Sequence, residues 1–211
     1  MDTTERDQRE AQTARELEDL RHRITGTLLE PNDSGYEDAR RIWNGMHDLR
    51  PRAVVRAGSV ADIGPVLAAA RDTGLVLAVR GGGHNVAGHG SVEGGLVLDL
   101  SQLRDVAVDP VTRLVTVEPG ATLADVDRAT AEHGLAVPIG VISATGVAGL
   151  TLGGGVGWLT RSNGLALDNL ISAHVVTAAG EHLRASEHEN PDLFWGLRGG
   201  GGNFGVVSGF T

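Results

Sequence analysis

The sequence predicts an α+β fold in two lobes, a small one built on a parallel βαβ unit and a larger, mainly antiparallel one. Two observations carry this. Residues 53–79 read as apolar strand, capped helix and apolar strand, and the right-handed crossover of such a unit makes its strands parallel. After residue 103 the texture changes to short strands joined by a tight turn, which is an antiparallel pattern. The expected division is a helical lead-in over 1–39, a first lobe over 40–103 and a second over 104–211.

The lead-in alternates acid and arginine over its first 24 residues, with Leu17, Leu20 and Ile24 at helical spacing, and a second helix is expected from Tyr36 to Trp43. Ala53–Arg56 is the first apolar strand. Ser59 and Asp62 have the spacing of a capping box, opening a helix whose Val60, Ile63, Val66, Leu67 and Ala70 share one face and which Gly74 stops. Leu75–Val79 and Leu96–Leu100 are further strands. Val106–Val108 and Leu114–Val117 flank an Asp109-Pro110 turn, which makes a hairpin. Thr122 and Asp125 cap a helix that Gly134 closes. Strands 171–178 and 181–185 flank Ala179-Gly180, and Ile171, Ala173 and Val175 form an apolar face expected to lie uncovered or against another chain. Asn190-Pro191 opens a short helix with Phe194, Trp195 and Leu197, and a last strand-like run follows Gly205.

Composition removes several chemistries. All 18 basic residues are arginine, so a Walker-type phosphate loop and a lysine Schiff base are excluded. The chain has no cysteine, which excludes disulfides, iron–sulfur clusters and thiolate nucleophiles. A net charge of −9 repels phosphate backbones and anionic lipid, so neither nucleic acid nor membrane is an expected partner. With no apolar leader in the charged N-terminus and no apolar run near the roughly 18 residues of a span, the expected location is cytoplasmic.

Glycine makes up 31 of the 211 residues, about twice its usual share, and much of it stands in three clusters. These are Arg80–Gly90, Thr145–Gly157 and Arg198–Gly205. The first directly follows a parallel strand, at the end where open sheets leave a ligand crevice. Glycine permits positive φ there, and successive N–H groups can then converge on an anion. Plain loop flexibility explains one cluster better than three. Gly200, Gly202 and Gly205 match the Rossmann fingerprint formally, but a strand-like run follows them where a helix should open. His84 and His89 lack the neighbouring ligands a metal needs, and no G-x-S-x-G elbow exists.

The ordered motifs Arg80-Gly-Gly-Gly-His84-Asn85, Val108-Asp-Pro110, Pro119-Gly120-Ala121-Thr122, Gly146-Val-Ala-Gly149, Gly153–Gly155, Asp192-Leu-Phe-Trp195 and Gly202-Asn-Phe-Gly205 resemble the FAD-binding domain of berberine bridge enzyme-like flavoproteins. These are FAD-linked oxidoreductases of the vanillyl-alcohol oxidase type. The resemblance runs over about residues 40–211. It implies FAD extended between two lobes, with His84 at the position bonded to the flavin 8α carbon. The simpler role for His84 is to hydrogen-bond its own loop. The implied cofactor contacts are Arg80, Gly81, Gly82, Gly83, His84, Asn85, Gly88 and His89 from the first cluster. Thr145, Gly146, Gly149, Gly153, Gly154 and Gly155 follow from the second, and Val207 from the last strand.

Two features depart from the family. The position at which many relatives carry a second, cysteinyl link falls on Ile142, so only a single covalent bond is possible. Family enzymes also continue into a substrate-binding domain that these 211 residues do not contain, so no catalytic residue can be assigned. The resemblance implies a hydride acceptor working on an alcohol, amine or sugar-like small molecule. The competing expectations are a remnant without turnover and half of a split enzyme completed by a partner chain.

Overall fold

The computed structural model describes residues 3–211. The first part of the chain forms α1 (Thr3–Arg23), β1 (Thr27–Leu29), α2 (Tyr36–Ala39), β2 (Ala53–Arg56), α3 (Ile63–Thr73), β3 (Leu77–Arg80) and β4 (Leu96–Asp99). Its sheet has the order β1-β2-β4-β3, with β4 parallel to both neighbours and β1 antiparallel to β2. The crossover through α3 thus leaves a one-strand gap between β2 and β3. β4 takes that central place because all four of its residues, Leu96-Val-Leu-Asp99, are buried.

The Ser59–Asp62 capping box forms as expected, and Ile63, Val66 and Ala70 face the core with Val60 and Leu67 packed at its edge. Gly74 ends α3 at φ +68°, where a side chain would be strained. Leu17 and Leu20 of α1 are fully buried in the same core. Asp62 does more than cap: its carboxylate accepts N–H bonds from Thr25 and Gly26 at 2.9 Å and from Gly58 at 2.8 Å, which ties the α1–β1 connection to the start of α3. The helix expected over Tyr36–Trp43 is shorter than its sequence suggested. It stops at Ala39, because the Ala39 and Arg41 carbonyls accept bonds from the buried guanidinium of Arg80.

The rest of the chain forms β5 (Val106–Asp109), β6 (Leu114–Val117), α4 (Leu123–Ala131), α5 (Val147–Leu152), α6 (Thr160–Asn163), β7 (Ser172–Val176), β8 (His182–Ser186), α7 (Pro191–Leu197) and β9 (Val206–Phe210). Every pair in the β5-β6-β9-β7-β8 sheet is antiparallel. β9 lies at its centre and is buried throughout. Val176 and Val206 pack into the core of the first sheet, so the two sheets share an apolar seam. The expected open face at Ile171, Ala173 and Val175 is closed within the chain. Ala173 and Val175 sit in one core with Phe194 and Leu197, and only Ile171, ahead of the strand, is exposed.

Candidate functional site

Parallel register brings three charged residues together at the carboxyl edge of the first sheet: Arg56, Asp99 and Arg80 are Cα partners at the ends of β2, β4 and β3. Arg80 is buried, and its Nη2 donates to Asp99 Oδ2 at 2.8 Å. Arg56 Nε lies 3.6 Å from the same oxygen. Above them opens a crevice of about 200 Å³, lined by Gly81, Gly82, Gly83, Arg41, Trp43 and Ser101 among others. Arg80 lines this crevice with its side chain already committed. Its guanidinium is engaged by one carboxylate and two carbonyls, so it holds the crevice wall.

The first glycine cluster begins where β3 ends. Among the described residues, the N–H groups from Gly81 to Val86 donate to no protein acceptor. A row of free donors along a loop with Gly83 at φ +69° suits a phosphate. Asn85 and His89 are exposed and close the loop on itself, since Asn85 Oδ1 accepts from the His89 N–H and Asn85 O from the Gly88 N–H.

The second cluster meets the first by backbone contact: a Cβ on Gly82 would stand 2.3 Å from Gly146 N. Thr145 laces this junction to α4 through its carbonyl, which accepts from Leu123 N–H at 2.9 Å. Gly149 lies exposed on α5, with nothing within 4 Å of a Cβ built there. Gly153, Gly154 and Gly155 follow at its end, the last two at φ +122° and +79°. Gly155 packs against Ala166 and Leu150, so part of the requirement for glycine there is internal.

The third cluster reaches the second through Leu152 O, which accepts from Gly199 and Gly201 N–H at 3.1 Å. All three clusters therefore converge. The segment after Gly200–Gly205 is strand β9, as the rejection of the Rossmann match required. The side chain of Val207 is buried in the second core opposite Val175, which leaves its backbone as the part that can face a ligand.

Sequence reasoning missed the segment that crosses the first cluster. Trp43 N–H donates to Gly83 O at 3.1 Å, and Asn44 Nδ2 to Val86 O at 2.8 Å. The Trp43 ring stacks on His84 with centroids 5.3 Å apart. No local pattern could have announced this, because the partners are some forty positions apart and Trp43 read as the end of a helix.

A larger groove of about 340 Å³ lies elsewhere, between α4 and β5, but its Arg104 and Arg128 are both paired to Asp125. Among the described residues no group of three His, Asp or Glu could hold a metal, and no helix is long and apolar enough to cross a membrane.

A parallel sheet edge carrying a donor-rich glycine loop, clasped to glycine loops of an adjoining antiparallel lobe, defines a nucleotide-cofactor module of α+β class. The particular family follows from comparison: residues 51–186 match the FAD binding domain model, and the chain belongs to that family of FAD-linked oxidoreductases. It is 40% identical over 185 residues to (R)-6-hydroxynicotine oxidase of Paenarthrobacter nicotinovorans, covering 88% of this chain and 40% of the relative. Its fold matches the berberine bridge enzyme-like 1 protein of Physcomitrella patens at TM-score 0.87 and 29% identity, over 92% of this chain and 43% of that one. A third match, at TM-score 0.85 and 35% identity over 92% of this chain and 42% of the other, is glucooligosaccharide oxidase from Acremonium strictum, with its 6-S-cysteinyl, 8α-N1-histidyl FAD. The chain thus spans about 40% of the length of these relatives.

Proposed function

We propose that this chain is the FAD-binding module of an oxidoreductase, with the flavin joined through a single covalent bond to His84. Its donor would be an alcohol, amine or sugar-like molecule, with dioxygen or another acceptor taking the electrons. The observation that carries the reading is the loop itself: a row of N–H groups from Gly81 to Val86 that have no acceptor among the described residues, with His84 in its midst. In this reading those N–H groups hold the pyrophosphate. The backbones of Gly146, Gly149 and Gly153–Gly155 admit the ribityl chain and flavin, and the Val207 backbone borders the adenosine. The fit is supported by the crevice at the sheet edge and by the open space over Gly149. When bound, the flavin supplies a two-electron acceptor, and attachment at 8α makes it a stronger one.

The histidyl FAD of the Acremonium relative supports the link, and the absence of cysteine restricts it to one. Purified protein should be yellow and keep its flavin through acid precipitation, and His84→Ala should release it. Quantitative recovery of free FAD from denatured wild type would remove the covalent claim and leave the binding claim standing.

Coverage of about 40% of the relatives favours a second reading for turnover, in which a substrate site comes from further chain or from a partner. Rapid oxidation of a specific donor by these 211 residues alone would exclude it.

A further inference from the structure

Resting on the reading of His84 as the flavin anchor, we propose that Trp43 is the positioning residue for that attachment, holding the imidazole by its face so that both ring nitrogens stay free. The two rings lie 5.3 Å apart at 20° from parallel. Among the described residues the His84 side chain makes no hydrogen bond and no ion pair. A histidine fixed by a hydrogen bond gives up one nitrogen to it, whereas a stacked one gives up neither.

Trp43 is 65% exposed, and its only ring contact among the described residues is His84. Burial therefore does not account for a tryptophan at this position. The segment that carries it is tied on both sides of His84. Before it, Trp43 N–H donates to Gly83 O at 3.1 Å. After it, Asn44 Nδ2 donates to Val86 O at 2.8 Å, and His47 Nε2 lies 3.0 Å from the same carbonyl. The His47 ring also fills the space beside Gly88, where a Cβ would come within 2.8 Å of it. The segment is thus a strap across the glycine loop, and its one stacking side chain meets the one histidine that the flavin needs.

Joining an imidazole nitrogen to the 8α carbon forms one C–N bond and breaks one N–H and one methyl C–H bond. The two protons and two electrons released pass to dioxygen, which leaves as hydrogen peroxide. Such a step depends on orientation, and a displacement of about 1 Å can slow it by about 100-fold.

The test follows acid-stable flavin fluorescence in apo-protein mixed with FAD in air, alongside total bound flavin and thermal melting. Trp43→Ala should slow attachment, counted per molecule of bound flavin, by about 10- to 100-fold while melting holds, and Trp43→Phe, which keeps a stacking face, should recover that rate to within about threefold. Attachment by Trp43→Ala at the wild-type rate, or Trp43→Phe as slow as Trp43→Ala, overturns the proposal. Should Trp43→Ala fold poorly, Asn44→Ala loosens the same strap and must also slow attachment; an unchanged rate there overturns it equally. If wild type itself gains no acid-stable flavin, the His84 reading fails and this one with it, which is a different result from equal rates in wild type and variant.

Discussion

Gly82 and Gly146 touch backbone to backbone: a Cβ on Gly82 would lie 2.3 Å from Gly146 N, and one on Gly146 would lie 2.4 Å from Gly82 N. Two glycine clusters that read from sequence as ligand loops are therefore also each other's packing surface. A side-chain clash can relax by rotation, but a clash with backbone moves the loop.

Gly82→Ala and Gly146→Ala should each destabilise the fold by about 2 kcal/mol, a fall in Tm of roughly 4–8 °C for a chain of this size. The loss should appear in protein without flavin. Melting temperatures within a degree of wild type for both variants would show that the loops move apart freely.

Arg80 and Asp99 form a buried pair, with side chains 6% and 5% exposed, and Arg80 also holds the carbonyls of Ala39 and Arg41. Removing Arg80 leaves buried Asp99 with only the more distant Arg56 as a cationic partner and two carbonyls without their donor, so Arg80→Ala should cost about 3 kcal/mol. It should also free residues 39–43 and with them the strap, so flavin incorporation should fall further than folding alone explains. Incorporation per folded molecule equal to wild type would separate Arg80 from the site.

The elements with strong local signals were legible in advance. The Ser59–Asp62 and Thr122–Asp125 boxes both form, Gly74 and Gly134 both adopt the left-handed conformation, and the Asp109-Pro110 turn joins a hairpin. What depends on distant partners was not legible. Nothing near Leu96 says that its strand will insert between two earlier ones. Nothing in Tyr36–Trp43 says that Arg80 will end the helix at Ala39. The Gly82–Gly146 contact joins two stretches that each look complete as a flexible loop.

Asp62 gives a pH dependence whose sign is fixed. Burial pushes its carboxyl up, but the N–H groups of Thr25, Gly58 and Gly26 and the Thr25 hydroxyl outweigh burial and hold it below the ordinary carboxylate value. A depressed folded-state value means the stabilisation is complete above the unfolded value of about 4 and is lost as pH falls through the lower folded one. Asp125 is held at about 2 by Thr122 and Arg104 against burial, and acts in the same direction. Wild-type Tm should therefore fall steeply below about pH 4. Asp62→Asn should be less stable at pH 7 with a flatter acid limb, and parallel curves for the two proteins would assign the acid sensitivity elsewhere.

Gly149 separates glycine needed by the fold from glycine needed by a ligand. It sits in the middle of α5 on an exposed face, its φ is not in the left-handed region, and a Cβ built there has nothing within 4 Å. By the helix scale alone, Gly149→Ala should stabilise the protein by up to about 1 kcal/mol. Among the described residues no packing or dihedral reason explains glycine there. If the flavin chain approaches this backbone, the added methyl group occupies its path. The expected result is a Tm raised by roughly 2 °C in flavin-free protein together with a clear loss of bound flavin. Gly180→Ala is the counterpart control: its φ of +86° makes any side chain strained, but it lies in the turn between β7 and β8 and belongs to none of the three clusters, so it should lower Tm and leave flavin per folded molecule unchanged. Gly149→Ala that gains stability and keeps its flavin would place the cofactor away from α5, against the arrangement proposed for Gly146 and Gly149.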